Sequence, residues 1–138
     1  KLNLCPKTYS YITISNFEFG RVPEGIIIEV TKECLKETPN FSIVVFGSYA
    51  KEKHNKNSDL DIAIFVIKDS LKKYLVARLN SVKRKETIDL HLNIFTYKEL
   101  SEMLNLEMEN LGKEIARYHL VFYGAENFYE TIKEWKQK

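Results

Sequence analysis

The 138-residue sequence is poor in cysteine and lacks any long apolar run, and each shortage excludes a class of protein. Its two cysteines, Cys5 and Cys34, form neither a CxxC pair nor a disulfide framework. The apolar runs, such as those at residues 25–28 and 43–46, are far too short to span a bilayer. No basic segment followed by an apolar one opens the chain, so we expect a cytoplasmic protein without membrane contact.

The sequence also has little excess charge and no obvious linker. Its 21 lysines and arginines are balanced by 19 aspartates and glutamates, so the net charge of +2 gives no reason to expect wrapping around nucleic acid. Only five glycines and three prolines are present, and no Gly/Ser/Pro-rich segment divides the chain. With 44% hydrophobic residues the composition is globular, and we predict a single domain over residues 1–138.

Hydrophobic periodicity predicts alternating helices and strands. The first predicted elements are a helix from Pro23 that ends before residues 38–40, a buried strand over 43–46 and a strand over 59–66. They are followed by a helix capped by Asp69 or Ser70, which buries Leu71, Leu75, Leu79 and Val82, and by a strand over 87–95. The last elements are a helix opened by the capping box Thr96-x-x-Glu99, a helical stretch around Leu111 and Ile115, a short apolar run over 120–123 and a helix over 126–137. This order predicts an α/β or α+β domain with a small mixed β-sheet packed by helices.

The first 22 residues are predicted to add an element to this core. Loose alternation over residues 9–19 predicts an extra N-terminal strand or hairpin that ends at Gly20. This aromatic-rich segment has three possible roles, as an edge strand of the sheet, as a cover over the sheet or as a contact with a partner. The edge strand is favoured. The domain therefore divides into an N-terminal extension (1–22), a core (25–124) and a C-terminal helix (126–137).

Acidic side chains recur on one face of two predicted strands. Residues two apart in a strand point to the same face, so Asp59 shares a face with Asp61, and Asp89 shares one with His91. If the strands are neighbours, three carboxylates converge on the open face of the sheet. Such a cluster repels itself unless a cation lies within it, and oxygen-rich sites suit Mg²⁺ or Mn²⁺. The alternative is three solvated aspartates on an exposed face.

A Gly-Ser pair follows the first predicted strand. Gly47 permits close backbone approach, the amides of a following turn form an anion site, and Ser48 adds a hydroxyl donor. The alternative is a glycine that only turns the chain. Other signatures of nucleotide or metal sites, GxGxxG and HExxH, are missing from the sequence.

Together these residues resemble the signature of a known family. Gly47 and Ser48 are followed, after ten residues, by Asp59 and Asp61. This spacing resembles the GSx10DxD motif of the polymerase-β-like nucleotidyltransferases, specifically of their minimal nucleotidyltransferase (MNT) branch. The resemblance covers about residues 25–124.

The resemblance implies a metal-dependent transfer of a nucleotide. It implies that the phosphates of a nucleoside triphosphate, with ATP as the expected donor, lie over Gly47 and Ser48, while Asp59 and Asp61 hold Mg²⁺ or Mn²⁺. It further implies that Asp89 completes a second metal site and helps to deprotonate an acceptor hydroxyl, which attacks the α-phosphorus and expels pyrophosphate.

Three further residues are candidates with open alternatives. Lys51 falls where many relatives carry arginine, so it either contacts a phosphate or is a solvated loop lysine. Ser58, which directly precedes the first aspartate of the motif, is a candidate nucleotide-binding residue. His91 either adjusts the charge of Asp89 or accepts a proton, or it is an ordinary surface histidine.

The MNT branch implies a role beside a partner protein. In MNT–HEPN toxin–antitoxin pairs, the MNT protein neutralises a HEPN ribonuclease by attaching AMP to one of its tyrosines, and this role ranks first. The alternatives are transfer to a small-molecule hydroxyl, modification of RNA ends, for which the basic end of the helix at residues 83–85 gives weak support, and a partner-docking module without catalysis.

Overall fold

The computed structural model of the chain describes residues 22–136, and its first element is a helix. Helix α1 (Glu24–Leu35) begins directly after Pro23, as the sequence predicts, and buries Ile27 and Val30 against the sheet. Cys34 of this helix is buried in the core. Burial and then the neighbouring charge of Glu33 raise the pKa of its thiol to about 12. The predicted N-terminal hairpin and Cys5 lie outside the described residues.

Four strands form one mixed sheet in the order β3-β2-β1-β4. The strands are β1 (Phe41–Phe46), β2 (Leu60–Val66), β3 (Leu90–Thr96) and β4 (Leu120–Tyr123). The central strand β1 is antiparallel to β2 and β4, whereas β2 and β3 are parallel. All six residues of β1 are buried, which confirms the strand predicted from its apolar run. The predicted mixed sheet packed by helices is also confirmed.

Helices follow the strands where periodicity predicts them. They are a 3-10 turn at Asp69–Leu71, α2 (Lys72–Lys85), α3 (Tyr97–Leu104), α4 (Leu111–Arg117) and α5 (Ala125–Lys136). The predicted cap of α2 is wrong: neither Asp69 nor Ser70 caps it, because both belong to the 3-10 turn, and Asp69 pairs instead with the Nζ of Lys72 at 3.0 Å. No helix between residues 22 and 136 is long and apolar enough to cross a membrane.

Helices cover both faces of the sheet. One face, which includes Ile43 and Ile62, packs against α1 and α2. The other face, which includes Ala63 and Phe65, packs against α3, α4 and α5. The sequence predicts an open face beside the aspartates of β2, and this is wrong for most of the strand, since Ala63 and Phe65 lie two and four residues beyond Asp61 and are fully buried. Only the beginning of β2 remains accessible on this face.

The capping box at the start of α3 provides a direct test of the local assignment. The N–H of Glu99 donates to the Thr96 hydroxyl at 3.0 Å, and the N–H of Thr96 donates to the Glu99 carboxylate at 2.8 Å. We expect Thr96→Val to lower the free energy of unfolding by about 1 kcal/mol, since it keeps the side-chain shape but removes the cap. Thr96→Ser keeps the hydroxyl and is the matched control. Urea denaturation measures both, and equal stability of Thr96→Val and wild type would contradict the assignment.

Candidate active site

Three acidic side chains meet where β2 and β3 begin. The two strands are parallel and in register, with Leu60 opposite Leu90, so the residues before them, Asp59 and Asp89, lie side by side. The N–H of Leu60 donates to the carbonyl of Asp89 at 2.9 Å and fixes this register. Asp61 follows on the same face as Asp59. The structure therefore brings together all three carboxylates that the sequence singles out.

The imidazole of His91 lies in the middle of these carboxylates. His91 is opposite Asp61 in the register of β2 and β3, and its Nδ1 is 3.1 Å from an Asp61 oxygen. Its Nε2 is 3.5 Å from one oxygen of Asp59 and 3.5 Å from one oxygen of Asp89. The sequence places His91 on the face of Asp89, but the contact with all three aspartates follows only from the strand pairing.

Gly47 supports the second aspartate of the motif. Phe46, the last residue of β1, pairs with Asp61, which brings the Asp61 side chain over the next residue, Gly47. Gly47 has a φ of +73°, and a Cβ at this position would lie 2.2 Å from Asp61 Oδ2. Glycine is therefore required here both for the backbone conformation and for the space that the carboxylate fills. The Gly-Ser pair and the aspartates form one structural unit.

A tight turn follows Gly47. The N–H of Lys51 donates to the Gly47 carbonyl at 3.1 Å, and the N–H of Lys53 donates to the Ser48 carbonyl at 2.9 Å. Ser48 thus lies at the beginning of a helical turn, where backbone amides point away from the turn. Ser58, at the end of the loop, accepts a hydrogen bond from the N–H of Asn55 at 2.8 Å. Its hydroxyl organises the loop, and its predicted contact with a nucleotide stays a prediction.

Lys51 is held against helix α4. Its Nζ is 3.4 Å from an oxygen of Glu114 and 5.5 Å from the ring centroid of Tyr118. Lys51 is therefore partly buried and paired in this structure, and its predicted contact with a phosphate stays a prediction. Sequence reasoning missed Glu114, because it is far along the chain and only the packing of α4 on the sheet brings it to the site.

The environment of the site changes the pKa of the Asp61 carboxyl. Burial is the largest effect and raises the pKa of its carboxyl, the charges of Asp59 and Glu114 raise this pKa further, and His91 lowers it through charge and hydrogen bonding. The net pKa is raised above the ordinary value of an aspartate. A cation beside Asp61 would stabilise the charged form of its carboxyl.

The site is accessible and suits a divalent ion. The side chains of Asp59, Asp61 and Asp89 are 46%, 25% and 68% exposed. Asp59, Asp89 and His91 each offer one ligand atom, and these atoms all lie within 4.8 Å of one another. Carboxylate oxygens are the donors that Mg²⁺ and Mn²⁺ prefer, so the residues present fit the metal that the resemblance implies.

The comparisons with known proteins decide the family. The profile of the family described as "Nucleotidyltransferase domain" matches residues 27–138. The chain belongs to this nucleotidyltransferase family. The match runs from α1 to the end of the chain and confirms the resemblance drawn from the sequence, and the mixed sheet is consistent with the polymerase-β-like fold.

A solved structure is also similar to this nucleotidyltransferase. A chain of "Crystal structure of the toxin-antitoxin with AMP-PNP" aligns with a TM-score of 0.49 and 18% identity, over 84% of this chain and 89% of that chain. No curated protein sequence matches the chain.

The contact between Gly47 and Asp61 yields a stability prediction. We expect Gly47→Ala to lower the free energy of unfolding by about 1–3 kcal/mol, because its Cβ meets the Asp61 carboxylate at a strained φ. The matched control is Gly25→Ala in α1, where a Cβ meets no atom within 4 Å and should stabilise by up to about 1 kcal/mol. Denaturant unfolding measures both. If Gly47→Ala unfolds like wild type, the contact is not as described.

The raised pKa of Asp61 predicts how stability depends on pH. The folded protein binds this proton more tightly than the unfolded chain, so the stability due to Asp61 is present at low pH and is lost as pH rises through the folded pKa. In metal-free protein with EDTA, Asp61→Asn should therefore melt a few degrees above wild type at pH 7, with a smaller difference near pH 4.

Asp69→Asn is the control for this pH series, since the Asp69 side chain is 82% exposed and lies outside the cluster. It should change the melting temperature little at either pH. A lower melting temperature for Asp61→Asn than for wild type at pH 7 would contradict the unfavourable environment of the charge.

Proposed function

We propose that the protein transfers a nucleoside monophosphate, AMP from ATP, to an acceptor hydroxyl with release of pyrophosphate. The observation that carries this proposal is the close approach of Gly47, which directly precedes Ser48, to the carboxylate of Asp61, beside Asp59 and Asp89 at the start of β2 and β3. The family of the chain supports nucleotide transfer as the reaction class.

The triphosphate binds over the turn after β1 in this proposal. Ser48 offers its hydroxyl and the backbone amides at the start of the turn, which suit phosphate oxygens. Lys51 lies three residues further along the turn, and its 3.4 Å ion pair with Glu114 is a loose one. A phosphate is the stronger partner, so Lys51 exchanges Glu114 for the nucleotide.

The reaction then depends on charge neutralisation and position. Divalent Mg²⁺ or Mn²⁺ held by Asp59, Asp61 and Asp89 would supply the positive charge that stabilises the transferring phosphate. The acceptor oxygen forms a bond to the α-phosphorus, and the bond from that phosphorus to the β-bridging oxygen breaks, so pyrophosphate leaves with the electron pair. Asp89 has the most exposed side chain of the three and accepts the proton of the hydroxyl.

We further propose that the acceptor is a tyrosine of a HEPN-type ribonuclease partner, which makes this protein the antitoxin of a toxin–antitoxin pair in the cytoplasm. The support is the resemblance of the motif to the MNT branch. The accessibility of Asp59 and Asp89 also favours it, because a side chain on the surface of another protein can reach this corner of the sheet.

Incubation with Mg²⁺ and α-labelled ATP tests the proposal. We expect label on a HEPN-type partner protein supplied in the reaction, no label from γ-labelled ATP, and a loss of transfer of at least about 100-fold in Asp59→Asn. Asp69→Asn is the matched control, since it removes an acidic group outside the site and should keep full transfer.

The other outcomes separate the alternatives. Label on added RNA or on a small molecule, but not on the partner protein, would contradict the proposed acceptor and support nucleotide transfer as the reaction. Equal transfer by Asp59→Asn and wild type would contradict the placement of the active site at Asp59. Tight binding of the partner without label on any molecule would identify a docking module.

A further inference from the structure

We infer that His91 is a metal ligand of this site, so that the ion held at the start of β2 and β3 is bound by one nitrogen and two carboxylates. The motif GSx10DxD and its third aspartate supply oxygen ligands only, and a histidine has no place in that pattern. The inference rests on the proposed function, because it concerns the metal of the same site.

The donor atoms lie close together, slightly further apart than one ion requires. His91 Nε2 is 3.5 Å from Asp59 Oδ2 and 3.5 Å from Asp89 Oδ2, and the three donors lie within 4.8 Å of one another. Metal–ligand bonds of about 2.1 Å place neighbouring donors about 3.0–3.4 Å apart in octahedral or tetrahedral sites. Small side-chain rotations therefore suffice to complete the set.

The second nitrogen of the ring is fixed by Asp61. Nδ1 lies 3.1 Å from Asp61 Oδ1. In the tautomer that carries its proton on Nδ1, the ring donates to this carboxylate, and the lone pair of Nε2 is free to bind an ion between Asp59 and Asp89. Histidine ligands of metals are commonly oriented by a carboxylate in this way. At this ion Asp61 is a positioning residue, which acts through His91, and its direct contact with metal in the proposed reaction concerns the second ion of a two-metal site.

A nitrogen ligand changes which metal the site prefers. Mg²⁺ favours oxygen ligands and keeps its waters, whereas Mn²⁺ accepts imidazole more readily. We expect the protein to bind Mn²⁺ more tightly than Mg²⁺, and we expect His91→Gln to reduce its affinity for Mn²⁺ by about ten-fold or more. The affinity for Mg²⁺ should fall less.

Pulsed electron paramagnetic resonance of Mn²⁺ bound to the full chain tests the ligand directly, without nucleotide and without activity. Wild type should show the modulation of a directly bound ¹⁴N, which changes in frequency when the histidines carry ¹⁵N. His91→Gln should lose this modulation. The matched control is His119→Gln, because His119 bonds to Ile115 and Tyr129 instead of the carboxylates, and it should keep the modulation.

Asp61→Asn tests the positioning role separately. It should weaken Mn²⁺ binding by about ten-fold, since an outer carboxylate is lost, while the nitrogen modulation of the remaining complex persists. Loss of the modulation together with unchanged affinity would overturn this role. Circular dichroism of each variant checks folding, and wild type with ¹⁵N-histidine decides the question even if His91→Gln does not fold.

The outcomes distinguish this inference from the proposed function. Mn²⁺ bound without nitrogen modulation in wild type overturns the role of His91, whether or not AMP transfer is observed. Nitrogen modulation in a protein that transfers no nucleotide supports His91 as a ligand and contradicts the proposed reaction. Failure to bind Mn²⁺ without nucleotide overturns the role of His91, whereas AMP transfer is decided by the labelling experiment.

Discussion

Strand β2 is paired on both sides, and the geometry of the whole site depends on these two registers. Pairing with β3 places Asp59 beside Asp89 and Asp61 opposite His91, while pairing with β1 places Asp61 over Gly47. A slip of one residue in β2 would turn the aspartates towards the core under α1 and α2 and move Ile62 to the acidic corner. Burying carboxylates among apolar side chains is costly, so the core that fixes β2 also fixes the site.

The same core allows the fold to hold anions that repel one another. Ile62, Ala63, Ile64 and Phe65 are fully buried, which ties the strand down directly after its acidic start. The cost of the charge is concentrated at Asp61, where burial and two neighbouring carboxylates raise the pKa. A nucleotidyltransferase site thus keeps an unfavourable charge arrangement in the free protein, and stability elsewhere in the fold compensates for it.

Local patterns were sufficient to predict the elements but not the contacts between them. Period-two spacing identified the shared face of Asp59 and Asp61, and the capping box located the start of α3, because both depend on neighbours in sequence. The helical cover over Ala63, the central position of His91 and the approach of Glu114 depend on strand pairing and helix packing, which no local pattern encodes. The cap of α2 was mispredicted because a 3-10 turn competed for the same polar residues.

Glu114 connects the two halves of the proposed site. It holds Lys51 at 3.4 Å, and its charge raises the pKa of Asp61. In the proposed reaction, Lys51 leaves Glu114 for a phosphate, so Glu114 loses its cation and its full charge acts on Asp61. Added positive charge at the aspartates, from a metal ion or a proton, compensates for this change. In the proposed reaction, nucleotide binding would therefore increase the attraction of the site for a metal ion, and, by linkage, the metal ion would increase the attraction for the nucleotide. In the proposed mechanism, the Lys51–Glu114 pair is thus a physical reason why the nucleotide and the metal ion would bind together.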